Sequence, residues 1–266
     1  MIKKAIEYAK RNKNIVLQFI KRETASRYKG SYLGFLWSVL TPLLMLGVYT
    51  FVFSEIFQAR WHSGSTNKLE FAVIIFAGLT TYNLFSEVVG RSPFLILGNT
   101  NYVKKVVFPL EVFPVIAIGS ALVNAVINFV LIIIFTFIIN HTLSWTVILL
   151  PIILLPLLLF TLGLSWILSA LGVFLRDIGQ VISIAIQALM LLSPILYSVD
   201  TIPANFRWVY YLNPITYFVG DVRDVVIWGQ IPNLYLFVSE LLVALIVAIL
   251  GLFIFRKTKH GFADVM

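Results

Sequence analysis

The sequence predicts an all-α integral membrane protein: six transmembrane helices, an N-terminal amphipathic interfacial helix, and short re-entrant helices before the last span. Three observations carry that prediction. Hydrophobic residues make up 60% of the chain and charged ones 12%, whereas a soluble domain carries about 25% charged residues on its surface. The apolar residues fall in long runs, and about 20 residues of helix cross a hydrocarbon core. Charge is concentrated at one end: nine basic and two acidic residues lie among the first thirty, which is +7 of a net +8.

The chain reads as one domain over 1–266. Residues 1–30 come first, with Ile2, Ile6, Ala9, Val16, Phe19 and Ile20 recurring between lysines and arginines. That spacing fits a helix lying in the interface, or one packed on protein. The basic lead is long and no small-x-small site follows the first apolar run, so a secretory signal is not expected. The first span, 33–57, has no charge between Lys29 and Glu55, and Pro42 predicts a kink. A polar loop leads to the second span, 71–90. Residues 91–111 are too polar to span and too apolar for a free loop, which predicts a short helix at the membrane surface. Spans three to six are 112–139, 144–175, 178–197 and 234–255. Between the last two lies 198–232, aromatic and charged, which predicts short helices at the far interface, where Trp and Tyr concentrate.

Basic residues orient the bundle. With six spans, 1–30, 91–111, Arg176-Asp177 and the tail share one side and carry +7, +2, 0 and +2. The other side carries +1, 0 and −1. The positive-inside rule then places both termini in the cytoplasm. Anionic membrane lipid explains the basic block better than nucleic acid does.

Several chemistries are excluded. With no cysteine there is no disulfide, cysteine zinc site or cysteine nucleophile. His62, His141 and His260 lie far apart, so no metal site is expected. No phosphate loop and no GxSxG occurs, so ATP is not expected on this chain and neither is hydrolytic catalysis. Glu55, Glu87 and Asp177 sit near span ends. Glu240 lies inside a span, where an ionisable group is costly; it lines a conduit, pairs across a subunit contact, or is an end residue of a span that begins later. Trp208, Tyr210, Tyr211, Tyr217 and Trp228 suit an interfacial belt or packing better than they suit a ligand.

The stretch at 23–46, ETASRYKGSYLGFLWSVLTPLLML, resembles the start of the permease subunits of ABC-2-type exporters of lipid-linked O-antigen, teichoic acid or capsular polysaccharide. The pattern is carried by Arg27, Tyr28, Ser31, Leu33, Gly34, Leu36, Trp37 and Pro42. Arg176-Asp177, the Ser193-Pro194-Ile195 step with Tyr197, and Leu212-Asn213-Pro214 match later family segments in order.

This resemblance implies a homodimer forming a conduit for a lipid-linked polysaccharide, O-antigen favoured. Two separate ATP-binding cassette subunits would hold ATP and magnesium. It implies that Arg27, Lys29, Leu33 and Gly34 lie where a lipid diphosphate arrives. It also implies that Asn99, Tyr102, Lys104 and Lys105 sit in a coupling helix on the ATPase, and that 198–232 forms a gate. Trp37, Tyr197, Tyr211, Tyr217 and Glu240 are the candidates for conduit or gate. Lipid anchoring competes as an explanation for Arg27, Lys29, Lys104 and Lys105. A membrane glycolipid-processing enzyme is the alternative from another class, and only Asp221, Arg223 and Asp224 come near an acidic catalytic cluster. An ion-coupled transporter would need more polar groups at mid-span.

Overall fold

A computed structural model describes residues 2–52, 68–104 and 108–266, and every regular element among them is helical. The first helix, α1 (Ile2–Tyr28), contains neither Gly nor Pro and ends just before Gly30, whose φ is +85°. A second turn follows at Gly34, with φ +51°, and opens the 3-10 turn Gly34–Leu36. Glycine adopts such angles at no steric cost, so the Leu33-Gly34 step lets the chain change direction into α2 (Trp37–Tyr49). From Val16, Phe19 and Ile20, α1 packs on the core, while Lys21, Arg22 and Lys29 stay exposed.

The centre of the bundle is α3 (Lys68–Arg91). Of its most apolar stretch, 83% is buried within the protein. It touches α2, α5 (Val112–Asn140), α6 (Leu150–Phe174), α7 (Ile178–Leu191) and α9 (Pro214–Arg223). Between α3 and α5 run two 3-10 turns, Ser92–Phe94 and Leu97–Asn99, and the short α4 (Thr100–Lys104). The last long helix, α10 (Leu234–Thr258), has only 17% of its apolar stretch buried and packs mainly along α6. Gly163 and Gly251 meet backbone to backbone at that seam, where a side chain on either would strike the other helix. Small residues allow such close approach where no hydrophobic effect drives helices together in lipid. The chain closes with α11 (Phe262–Val265), whose Phe262 is fully buried against Phe255 and Phe174.

Among the described residues, five helical stretches are long and apolar enough to cross a membrane: Gly34–Val52, Leu69–Phe94, Val112–Asn140, Trp145–Phe174 and Leu234–Val265. The expected fifth span, 178–197, differs. It forms α7, 14 residues and about 21 Å long, against about 30 Å of hydrocarbon. The helix ends ahead of Ser193-Pro194, because proline lacks an N–H and drives the residue before it out of the helical region. Past it, 198–232 breaks into two 3-10 turns, α8 (Arg207–Leu212), α9 and a π turn, Asp224–Trp228, that stops at Gly229.

Candidate functional site

A polar cleft of about 350 Å³ opens between α2, α3 and α5. Its first wall comes from α2: Trp37, 39% exposed, with Ser38 and Thr41. The second comes from α3, where Thr80, Asn83 and Glu87 fall three and four residues apart and so share one face. The third comes from α5, where Asn124 and Asn128 are spaced by four. Thr80 is 1% exposed and its hydroxyl has no protein partner. Amides and hydroxyls offer donors and acceptors together, and the indole adds a flat apolar face. Neutral groups of this kind in apolar helices suit a passage for hydroxyl-rich material, since polar residues at membrane depth are tolerated where they line a cavity.

Glu87 is shared with an ion-pair network that ties α1 to the base of α3. Arg27 bonds Glu87 and donates to Ser120 Oγ at 2.8 Å, and it lies 3.9 Å from Glu23. Arg91 bonds Glu23 and sits 3.5 Å from Glu87. Arg27 is therefore matched by carboxylates at the end of the cleft, while Lys29 and Leu33 are exposed beside it and Gly34 is half-buried. Of the residues implied to receive a diphosphate, only Lys29 presents a charge at the surface.

The segment between α3 and α5 is held at both ends. Tyr102 packs in an aromatic cluster with Phe19, Phe108 and Phe113, with ring centroids 4.9–5.9 Å from its own. Asn99 donates to the Leu95 carbonyl at 2.9 Å, so it shapes the segment instead of projecting from it. Lys104 is exposed, and Lys105 lies outside the described residues. At the far end Glu111 accepts from Lys259 Nζ at 2.7 Å, with Arg256 at 3.7 Å. Burial pushes its carboxyl up, but the Lys259 hydrogen bond and the two positive charges outweigh burial and hold it below the ordinary carboxylate range.

The later motifs meet one another on the opposite side of α3. Asn213 caps α9 by accepting from the Ile215 N–H at 3.0 Å, with Pro214 at the first helical position. Its amide donates to Leu192 O and Ser193 Oγ. Arg223, 2% exposed, donates to the carbonyls of Pro194, Ile195 and Ile74, the last on α3. Tyr197 bonds the Leu191 carbonyl and the Tyr210 hydroxyl. Tyr211 is exposed, and its carbonyl accepts from Tyr217 Oη at 2.9 Å. Glu240 lies with Tyr217 in a separate pocket of about 280 Å³. Trp37 is thus the one conduit candidate placed in the α2–α3–α5 cleft. The asparagines were missed by sequence reasoning, which weighed charge. Their signal was the spacing of Ser120, Asn124 and Asn128, four apart in an otherwise apolar run.

The sequence pattern of the ABC-2 type transporter family matches residues 15–227. The chain is 30% identical, over 95% of both lengths, to the O-antigen export system permease protein RfbA of Klebsiella pneumoniae. It is 27% identical over 95% of both lengths to the protein of that name in Myxococcus xanthus. It is 23% identical to the polysialic acid transport protein KpsM of Escherichia coli, over 90% of this chain and 92% of the relative.

Proposed function

The chain belongs to the ABC-2 type transporter family, and from that premise we propose that it is the membrane-spanning permease of an ATP-driven exporter of lipid-linked polysaccharide, O-antigen favoured. The observation that carries the reading is the cleft: Trp37 with the amides of Asn83, Asn124 and Asn128, uncharged and hydrogen-bonding, set among apolar helices. A glycan offers many hydroxyls that both donate and accept, and such a lining exchanges hydrogen bonds with each successive sugar without holding one tightly. Two copies would complete a conduit in the cytoplasmic membrane, with both termini inside and the short α7 and the helices of 198–232 on the exit side. The α3–α5 segment, anchored at its ends by the Glu23–Arg27–Glu87–Arg91 network and by Glu111–Lys259, suits a contact with a separate ATPase that holds ATP and magnesium. Exposed Lys104 suits that contact. Lys29 suits a diphosphate arriving at the membrane surface.

The test is complementation in a strain lacking its O-antigen exporter permease, with the cognate ATPase co-expressed and surface polysaccharide read on a gel. Restored polymer that disappears when the ATPase's catalytic glutamate is changed supports the reading. Lipid-linked chains accumulating inside, with none at the surface, would move the substrate to capsular polysaccharide or teichoic acid.

A further inference from the structure

After α10 the chain folds back on the bundle through a 3-10 turn, Lys259–Gly261, into α11. Two anchors hold this fold-back. Phe262 is wholly buried, its ring 5.5 Å from that of Phe255 and 5.9 Å from that of Phe174 at the end of α6. Lys259 Nζ donates to Glu111 Oε1 at 2.7 Å, and Arg256 Nε lies 3.7 Å from the same oxygen. Glu111 is itself buried and held from a third side, because the Trp166 indole N–H donates to its carbonyl at 3.0 Å. The fold-back therefore ties together the ends of α10, α6 and α5.

Besides α6, α11 touches α4. The two are very short: α4 has five residues and α11 four. Isolated helices below about 12 residues are marginal in water, so neither stands on its own hydrogen bonds. Each takes its place from what it packs against. On one side α4 is held by Tyr102, in the ring cluster with Phe19, Phe108 and Phe113. On another it meets α11. Tyr102 and Val103 turn to the core and are half-buried, while Asn101 and Lys104 are exposed. Of these two short helices, α11 carries the deeper anchor, since Phe262 and Lys259 fasten it to three long helices. The position of α4 thus depends on α11, whose own position the bundle fixes.

We propose that the turn after α10, residues 259–265, is a brace that fixes α4 in place for the ATPase, with Phe262 and Lys259 as its positioning residues. The brace rests on the reading of the α3–α5 segment as the ATPase contact. The test uses the full chain in detergent with the cognate ATPase. The chain has no cysteine, so Asn101→Cys, exposed on α4, carries a spin label at a single place. Tyr235→Cys, 87% exposed at the other end of α10, carries the control label. Phe262→Ala is expected to make the label at 101 more mobile and to leave the label at 235 unchanged. In unlabelled protein it is expected to weaken ATPase binding about tenfold, because binding must then order α4 itself. Phe262→Leu keeps an apolar anchor and is expected to restore most of both. Should Phe262→Ala not fold, Lys259→Met carries the same test: the half-exposed ion pair contributes little to the fold, so Tm holds while the label at 101 is freed. Equal mobility at 101 in the parent and the folded variants overturns the proposal. So does a freed α4 that binds the ATPase as tightly as the parent. An ATPase that does not bind the parent chain overturns the export reading, and the brace with it.

Discussion

The polar groups of the α2–α3–α5 cleft and those of the helices of 198–232 sit in the same apolar bundle and are treated in opposite ways. In the cleft the side chains of Trp37, Asn83 and Asn128 line open space. Across α3, Asn213 and Arg223 turn inward to cap a helix and hold the turn at 193–195, and Tyr197 and Tyr217 bond carbonyls nearby. The difference teaches that a polar residue in an apolar helix is not by itself a transport residue. What decides is whether its hydrogen bonds are spent on the protein's own backbone.

Arg223 gives the largest expected break in that contrast. Arg223→Met would orphan the buried carbonyls of Pro194 and Ile195, at about 1–3 kcal/mol each, and strip a second donor from the Ile74 carbonyl. A loss of about 4 kcal/mol follows, read as a fall in Tm and in the yield of monodisperse protein. A variant as stable as the parent would mean that the 193–228 region rests on apolar packing alone. The change Asn128→Leu should do the reverse. Export falls about tenfold, roughly one hydrogen bond's worth, while Tm holds or rises, because an apolar cleft costs the fold nothing. A parallel loss of stability would reassign Asn128 to structure. Trp37→Ala should lower export roughly fivefold through the lost aromatic face, with Trp37→Phe restoring most of it.

Glu111 gives the smallest effect and sharpens the contrast at the end of the bundle that holds the α3–α5 segment. Its folded carboxyl titrates below the ordinary range. The latch is therefore fully present above the unfolded value of about 4.3 and is lost as pH falls through the folded value. Glu111→Gln should cost about 1 kcal/mol at neutral pH and should flatten that acid-side loss in a Tm-versus-pH series. An unchanged acid profile would show that Glu111 does not set it.

The helical class was legible because long apolar runs and a clustered basic lead follow from bilayer physics acting on local sequence. The family motifs were legible too, but not their work. Leu212-Asn213-Pro214 reads as a motif in the sequence, and only the fold shows it to be a helix cap reaching back to Ser193. Arg27 reads as a surface cation, yet its partners Glu87 and Ser120 lie 60 and 93 residues away. The span expected over 178–197 was misjudged because hydropathy averages across Ser193-Pro194, where backbone geometry ends the helix.

By itself the sequence determined that the chain is helical and membrane-embedded, because hydropathy and charge placement are summed along the chain. The tertiary structure alone decided which polar residues line a cleft and which are locked to backbone. Those outcomes depend on which helix lies opposite. In an apolar bundle, partners far apart in sequence set whether a buried polar group is satisfied or left to meet a ligand.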